Sequence, residues 1–353
     1  MSSPSLRDRF RGALVGGALG DALGAEVEFE AYEAIVARHG ERGPSELPAG
    51  GRITDDTQMT LWTAEGLLRA KHRWATKGIV HLPSVVQRAY LRWLATQGEP
   101  LADDAALREA GWLWTHRALH ARRAPGTTCL TALRTGRVAG FDVPLNDSKG
   151  CGGVMRVGPV GLLFSGEKAF DVGCQVAALT HGHPTGWLAA GAFAEAVASV
   201  CRGASVGAAL DGAEARARGH RHGAETAGAL ASARRLAASA TPDSRAAQAL
   251  AVVAPPGGPG WVAEEALAVG ALFARRYPDA PERALRAAVT HSGDSDSTAS
   301  ICGTLVGGAL GEAALPARWL GALELAEVVR QVADDLHDAA GGGRGWYDRY
   351  PPV

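Results

Sequence analysis

The chain has few cysteines, no long hydrophobic run and no excess of either charge. Its five cysteines (Cys129, Cys151, Cys174, Cys201, Cys302) include no CxxC pair. An odd, scattered set argues against a disulfide framework, spells no zinc site and favours a reducing compartment. Lys and Arg total 36 against 37 for Asp and Glu, a formal charge of −1, so no global field marks nucleic acid or a membrane surface as a partner. Residues 1–10 are polar and carry both charges, and the apolar run after them is broken at Asp21. That run is too short for a signal-peptide core or a spanning helix, so a soluble, cytoplasmic protein is expected. Alternation of β-branched and aromatic residues with polar ones is also rare, which removes the main signal for strands.

Ala and Gly are plentiful, with 46 glycines, and the natural expectation is long helices joined by glycine-rich loops: an all-α fold. At 353 residues the chain exceeds the usual single-domain size, yet one large core remains possible. No linker is long or polar enough to divide it, so a single domain over residues 1–353 is expected. A first helix is predicted from residue 5 to about 23. Within it Gly12, Gly16, Gly20 and Gly24 recur every four residues, and Gly303, Gly307 and Gly311 repeat the device near the other end. Each glycine costs a helix roughly 1 kcal/mol against Ala, so a row of them on one face points to a second backbone coming close. If these two helices pair, Asp21, Glu28, Asp294 and Asp296 share one neighbourhood.

Further helices are expected over residues 82–96, 103–122 and 262–276, a break between two helices at 177–184, mainly solvated helix over 202–244 with His220 and His222 on its surface, and a loop at 255–260. Trp93, Trp112 and Trp114 read as core or interface aromatics. The terminal residues 341–353, with Trp346, Tyr347 and Tyr350, read as a tail packed back on the body.

The chemistry concentrates in two acidic stretches. Near the end runs His291-Ser-Gly-Asp294-Ser-Asp296-Ser297-Thr298, just before the small, apolar helix interior 301–310. Far upstream, Thr54, Asp55 and Asp56 place hydroxyl and carboxylate oxygens at another loop-to-helix junction. Oxygen-only sets of this kind suit Mg²⁺, Mn²⁺ or Ca²⁺. Asp, Ser and Thr are equally the preferred N-cap residues, but a plain cap leaves the adjacent Asp55 and Asp56 repelling each other with no counter-ion.

Between the two lies a glycine-rich loop, Asn146-Asp-Ser148-Lys149-Gly150-Cys151-Gly152-Gly153-Val-Met155-Arg156. Its backbone N–H groups would suit phosphate oxygens, with Lys149 or Arg156 adding charge, or the run is a tight structural turn. It is neither a Walker loop nor a dinucleotide fingerprint. His181 and His183 form a His-x-His pair that either holds a ligand or caps helix ends.

Taken in order, GALVGGALGDALGAEVE, TDDTQM, SKGCGGVMR, THGHPTG and HSGDSDSTASICGTLVGGALG resemble the motifs of the ADP-ribosylglycohydrolase family over nearly the whole chain. The resemblance implies a compact, orthogonal all-helical bundle with a pair of divalent ions, Mg²⁺ or Mn²⁺, at the base of a cleft. It implies Thr54, Asp55, Asp56, Asp294, Asp296 and Ser297 as metal ligands, Ser297 standing where the family commonly has Thr. Glu28 matches an acidic residue that lies over the metals or gates the cleft, and Asp55, Asp56 and Glu28 are the candidate catalytic carboxylates. Ser148, Gly150, Cys151, Gly152, Gly153 and Met155 match the loop that holds the diphosphate and distal ribose, and His181 a ligand-contacting histidine. The reaction implied is hydrolysis of the bond between ADP-ribose and a protein, nucleobase or small-molecule acceptor. Two other functions fit the same residues: a non-catalytic ADP-ribose binder, and a metal-dependent pyrophosphate or phosphoester hydrolase.

Overall fold

A computed structural model describes residues 3–251 and 258–352. Among them the structure is helical, with no β-strand and one isolated bridge, between Gly150 and Val262. The α-helices in chain order are α1 (Leu6–Gly24), α2 (Tyr32–His39), α3 (Asp55–Lys77), α4 (Leu82–Thr96), α5 (Thr127–Arg134), α6 (Gly158–Leu163), α7 (Gly166–Ala178) and α8 (Pro184–Cys201). They continue as α9 (Val206–Gly219), α10 (Ala224–Ala237), α11 (Asp243–Gln248), α12 (Ala263–Arg276), α13 (Pro281–Val289), α14 (Ser295–Leu310), α15 (Ala317–Ala322) and α16 (Ala326–Ala340).

The two glycine-row helices, α1 and α14, form the axis of the bundle. Both are buried nearly all round, as a helix apolar on every face must be. Their backbones touch: a Cβ on Gly16 would run into the carbonyl oxygen of Gly303, and one on Gly303 into that of Gly16. Gly12 meets Gly307 in the same way, Gly20 meets Ala299, and Gly24 lies on Ser295 and Asp296. Around this pair pack α3, α8, α13 and α16 against α1, and α8, α12 and α13 against α14.

Ser5 starts α1 by accepting the Asp8 N–H at 3.1 Å, and α4 runs over the expected residues. The tail folds back: Trp346 and Tyr350 are buried, and the Tyr347 ring stacks on His72 with centroids 3.7 Å apart. The expected solvated stretch is three helices, α9, α10 and the start of α11, whose inner faces are buried; His222 is exposed and His220 half-buried. Of the loop at 255–260, residues 255–257 lie outside the described residues.

Residues 103–122 are not the helix that their pattern predicts. They form three short 3-10 turns, Asp104–Glu109, Trp112–Thr115 and Arg117–Leu119, separated by extended residues at Ala110, Gly111 and His116. Tertiary contact overrides local preference here. Gly111 sits against the Arg69 guanidinium, where a Cβ would clash, and the Trp112 N–H donates to the Arg349 carbonyl of the tail at 3.5 Å. Leu113 and Leu119 both reach the core from these turns.

Candidate active site

The N-termini of α3 and α14 converge beside the C-terminal end of α1, and both acidic stretches lie at these ends. Thr54 is the N-cap of α3, its Oγ1 accepting the Asp56 N–H at 3.3 Å. Asp294 is the N-cap of α14, its Oδ1 accepting the Ser297 N–H at 3.2 Å. Capping and site-building are therefore combined, since the cap residue still has oxygen to spare: Asp294 Oδ2 accepts the Cys151 thiol at 2.8 Å. Asp296 Oδ1 accepts the Ser297 N–H at 2.9 Å, and Asp55 Oδ2 accepts the Gly126 N–H at 3.3 Å. Asp55, Asp56, Asp294 and Asp296 are all buried.

The turn after α1 adds Glu28, whose carboxylate lies with those of Asp294 and Asp296 in one group of oxygens within 4.8 Å of each other. Burial together with mutual repulsion raises these acids. Glu28 is pushed up to about 9 by desolvation first, then by the charges of Asp296 and Asp55. Asp55 and Asp56 are held well above the usual carboxylate range by desolvation and then by the charge of Asp296, and Asp296 by desolvation and then by Asp294. Desolvation also carries Asp294 up to about 6.

Such a cluster costs folding free energy unless protons or cations neutralise it. The donors fit cations. The set is carboxylate and hydroxyl oxygen, and Asp56 Oδ1 is buried without a hydrogen-bond partner, a lone pair left for an electrophile. Hard divalent ions match this chemistry.

Asp21, which the sequence places nearby without a role, holds the first turn of α3 in position. Its carboxylate accepts the N–H groups of Thr54 and Thr57, each at 3.0 Å, and the Thr57 hydroxyl. The available signal is a lone acid on the wholly buried stretch of a glycine-row helix. Thr298 turns away from the cluster, its hydroxyl bonded to the backbone carbonyls of Ala288 in α13 and of Asp294 and Ser295 at the start of α14. The Ser297 hydroxyl faces Met155 Sδ at 3.8 Å.

The glycine loop crosses the same region, fastened by the Cys151 N–H to the Trp261 carbonyl at 3.2 Å and by the Ala263 N–H to the Lys149 carbonyl at 2.8 Å. Its glycines have a steric reason. The His181 ring lies against Gly150, Gly152 and Gly153, whose missing Cβ atoms would sit 3.3, 3.1 and 3.4 Å from Nε2, Cε1 and Nδ1. His181 is buried and its pKa is lowered to about 3, first by desolvation and then by Arg156. The Ser148 hydroxyl accepts the Gly150 N–H at 3.3 Å.

His183 is the cap of the pair: its Nδ1 accepts the Thr185 N–H at the start of α8, at 3.1 Å. The two cations of the loop are engaged elsewhere. Lys149 bridges Glu225 and Glu264, and Arg156 is buried behind the loop.

A cavity of about 710 Å³ opens next to the cluster, lined by Phe29, Trp261, Ser292 and Gly293 among others. Phe29 stacks on Trp261 with ring centroids 5.2 Å apart and follows Glu28 directly in sequence. Neither aromatic is singled out by sequence reasoning, because 29 and 261 are far apart in the chain and carry no motif spacing.

Residues 2–345 match the family model described as ADP-ribosylglycohydrolase. The ADP-ribosyl-(dinitrogen reductase) glycohydrolase of Rhodospirillum rubrum is 35% identical over 104 residues, which is 28% of this chain and 32% of that relative, so the match spans about a third of the relative's length. A solved structure titled ADP-ribosylglycohydrolase-related protein complex superposes with a TM-score of 0.65 at 27% identity, covering 95% of this chain and 99% of that one.

Proposed function

The chain belongs to the ADP-ribosylglycohydrolase family, and from that premise we propose that it hydrolyses the glycosidic bond between ADP-ribose and an acceptor, using a pair of divalent cations, Mg²⁺ or Mn²⁺. The single observation that carries this reading is the convergence of carboxylates from three distant segments: Glu28, Asp294 and Asp296 have oxygens within 4.8 Å of one another, and Asp55 and Asp56 lie close enough to act on them by charge. In this reading Thr54, Asp55, Asp56, Asp294, Asp296 and Ser297 hold the cations, and the whole chain works as one domain. When bound, such ions supply Lewis-acid polarisation of hydroxyl oxygens and a lowered pKa for water.

The chain's own residues supply the rest. Ser148, Gly150, Cys151, Gly152, Gly153 and Met155, with His181 beneath them, form the surface for the diphosphate and distal ribose. Positive charge develops at the anomeric carbon as a glycosidic bond breaks. Carboxylates at Asp55, Asp56 and Glu28 would stabilise that charge, and one of them would take the proton of the attacking water. The acceptor, whether protein side chain, nucleobase or small molecule, would lie in the cavity beside Phe29 and Trp261. The five free cysteines support a reducing, cytoplasmic setting.

The test is turnover of arginine-linked, serine-linked and nucleobase-linked ADP-ribose, with and without chelator, with products identified by mass. Metal-dependent release of ADP-ribose is expected. Release of AMP instead would mean diphosphate cleavage, and binding of ADP-ribose with no turnover of any substrate would mean a binding protein. Full turnover in the Asp294→Ala, Asp296→Ala double variant would sink the two-cation reading.

A further inference from the structure

Arg156 is fully buried, yet among the described residues its hydrogen bonds go to no carboxylate. One terminal nitrogen donates to the Thr180 hydroxyl at 2.7 Å and the Val176 carbonyl at 3.3 Å. The other donates to Cys129 Sγ at 3.3 Å and Met59 Sδ at 3.5 Å. The guanidinium lies 4.4 Å from the centre of the Tyr90 ring, and Nε has no partner. An interior cation so thinly paired is costly, and an apolar side chain of similar length would fill the space for less. What an apolar residue would not do is orient the hydroxyl next to it.

Arginine has donors only, so Thr180 Oγ1 must accept from it. The hydroxyl hydrogen then has two neighbours, Cys129 Sγ and His181 Nδ1, and the ring nitrogen, 2.8 Å away, is the stronger acceptor. With the hydrogen on that bond, Nδ1 accepts and the ring hydrogen belongs on Nε2. Among the described residues, Arg156 is the charge that acts on the ring, and Cys129 and Cys151 are the thiols beside the glycines it touches. Burial keeps the Cys129 thiol protonated, and it is turned to the Gly152 carbonyl at 3.9 Å. Nε2 takes no hydrogen bond from the described protein and lies at the Gly150 end of the loop.

We propose that Arg156 is a positioning residue which, acting through Thr180, locks His181 in its Nε2–H tautomer and so gives the loop at 150–153 a fixed N–H donor for an oxygen of the bound diphosphate or ribose. The proposal rests on the reading that this loop holds ADP-ribose. The direction of the relay matters because the opposite tautomer would aim a lone pair at an anionic oxygen, turning attraction into repulsion.

The test combines side-chain ¹H–¹⁵N correlation spectra, with the His181 signals assigned through a His181→Gln variant, and calorimetric titration with ADP-ribose in the presence of Mg²⁺. The wild-type protein should show His181 as Nε2–H alone. Thr180→Val, which removes the hydroxyl and keeps the shape, should let the other tautomer appear and weaken ADP-ribose binding roughly tenfold. Thr180→Ser should restore both. If Thr180→Val does not fold, Arg156→Met carries the same comparison, because it leaves the hydroxyl free to turn. A Thr180→Val protein that keeps Nε2–H alone would overturn the relay. A changed tautomer with unchanged affinity would overturn its role in binding. Failure of the wild-type protein to bind ADP-ribose would count against the functional reading, while the spectra would still decide the relay.

Discussion

Glu28 gives the site a measurable pH signature. In cation-free protein its folded pKa is about 9 against an ordinary 4.5, so the folded chain keeps a proton that the unfolded chain releases. Stability falls with pH wherever the folded state binds more protons. The chelator-treated protein should therefore lose stability as pH climbs from about 4.5 towards about 9, with Asp55, Asp56 and Asp296 pulling the same way. Thermal unfolding followed across that range should show Glu28→Gln flattening the decline; an unchanged slope would remove Glu28 from the cluster's electrostatics. Asp21 makes a second residue-scale case: it hydrogen-bonds Thr54 and Thr57, and its charge also acts on Glu28, Asp55, Asp56 and Asp296. Asp21→Asn exchanges a carboxylate acceptor for an amide and should weaken Mn²⁺ binding by roughly 10–100-fold, the usual cost of losing a residue that orients ligands. Calorimetry decides it, and an affinity within twofold of the wild type would mean that α3 holds its first turn without Asp21.

One substitution should have opposite effects on two helices. On α14, Gly303 lies on the backbone of α1, so Gly303→Ala forces the axial pair apart and should cost about 1–3 kcal/mol, as overpacking does. On α9, Gly212 has open space where its Cβ would be, so Gly212→Ala should stabilise by up to about 1 kcal/mol through helix preference alone. Chemical denaturation of both variants tests the pair; equal signs would mean that α1 and α14 do not depend on bare backbone contact. The spacing of these glycines is legible in sequence because a four-residue repeat marks one helix face, and the acidic stretches are legible because carboxylates crowd at helix starts. The 3-10 turns over 104–119 are not, since their shape is set by Arg69 and the Arg349 carbonyl, more than 30 and 200 residues away in sequence. Nor is the place of the His181 ring beneath three glycines, nor the Phe29–Trp261 stack. Each is a meeting of side chains from separate segments, which no local pattern encodes.

At the scale of the whole molecule, the carboxylate cluster joins three elements whose ends repel one another. Glu28 follows α1, Asp55 and Asp56 open α3, and Asp294 and Asp296 open α14. The glycine contacts between α1 and α14 and the bonds from Asp21 to α3 hold these ends together against that repulsion, so the fold bears a strain that bound cations would relieve. A ligand that binds the folded state alone stabilises it by about 2.7 kcal/mol at a free concentration of 100 times its Kd. Mn²⁺ or Mg²⁺ should accordingly raise Tm by several degrees, and chelator should return it to the starting value. Because every affected helix is part of one bundle, the shift should appear as a single unfolding transition moved upward. The Asp294→Ala, Asp296→Ala double variant provides the control. The substitutions remove two mutually repelling charges but also the N-cap bond of α14, so the cation-free variant should melt within several degrees of the wild type, and it should no longer respond to either ion. A double variant that still gains the full Tm shift would place the cation effect elsewhere on the molecule and separate it from the cluster at the helix ends.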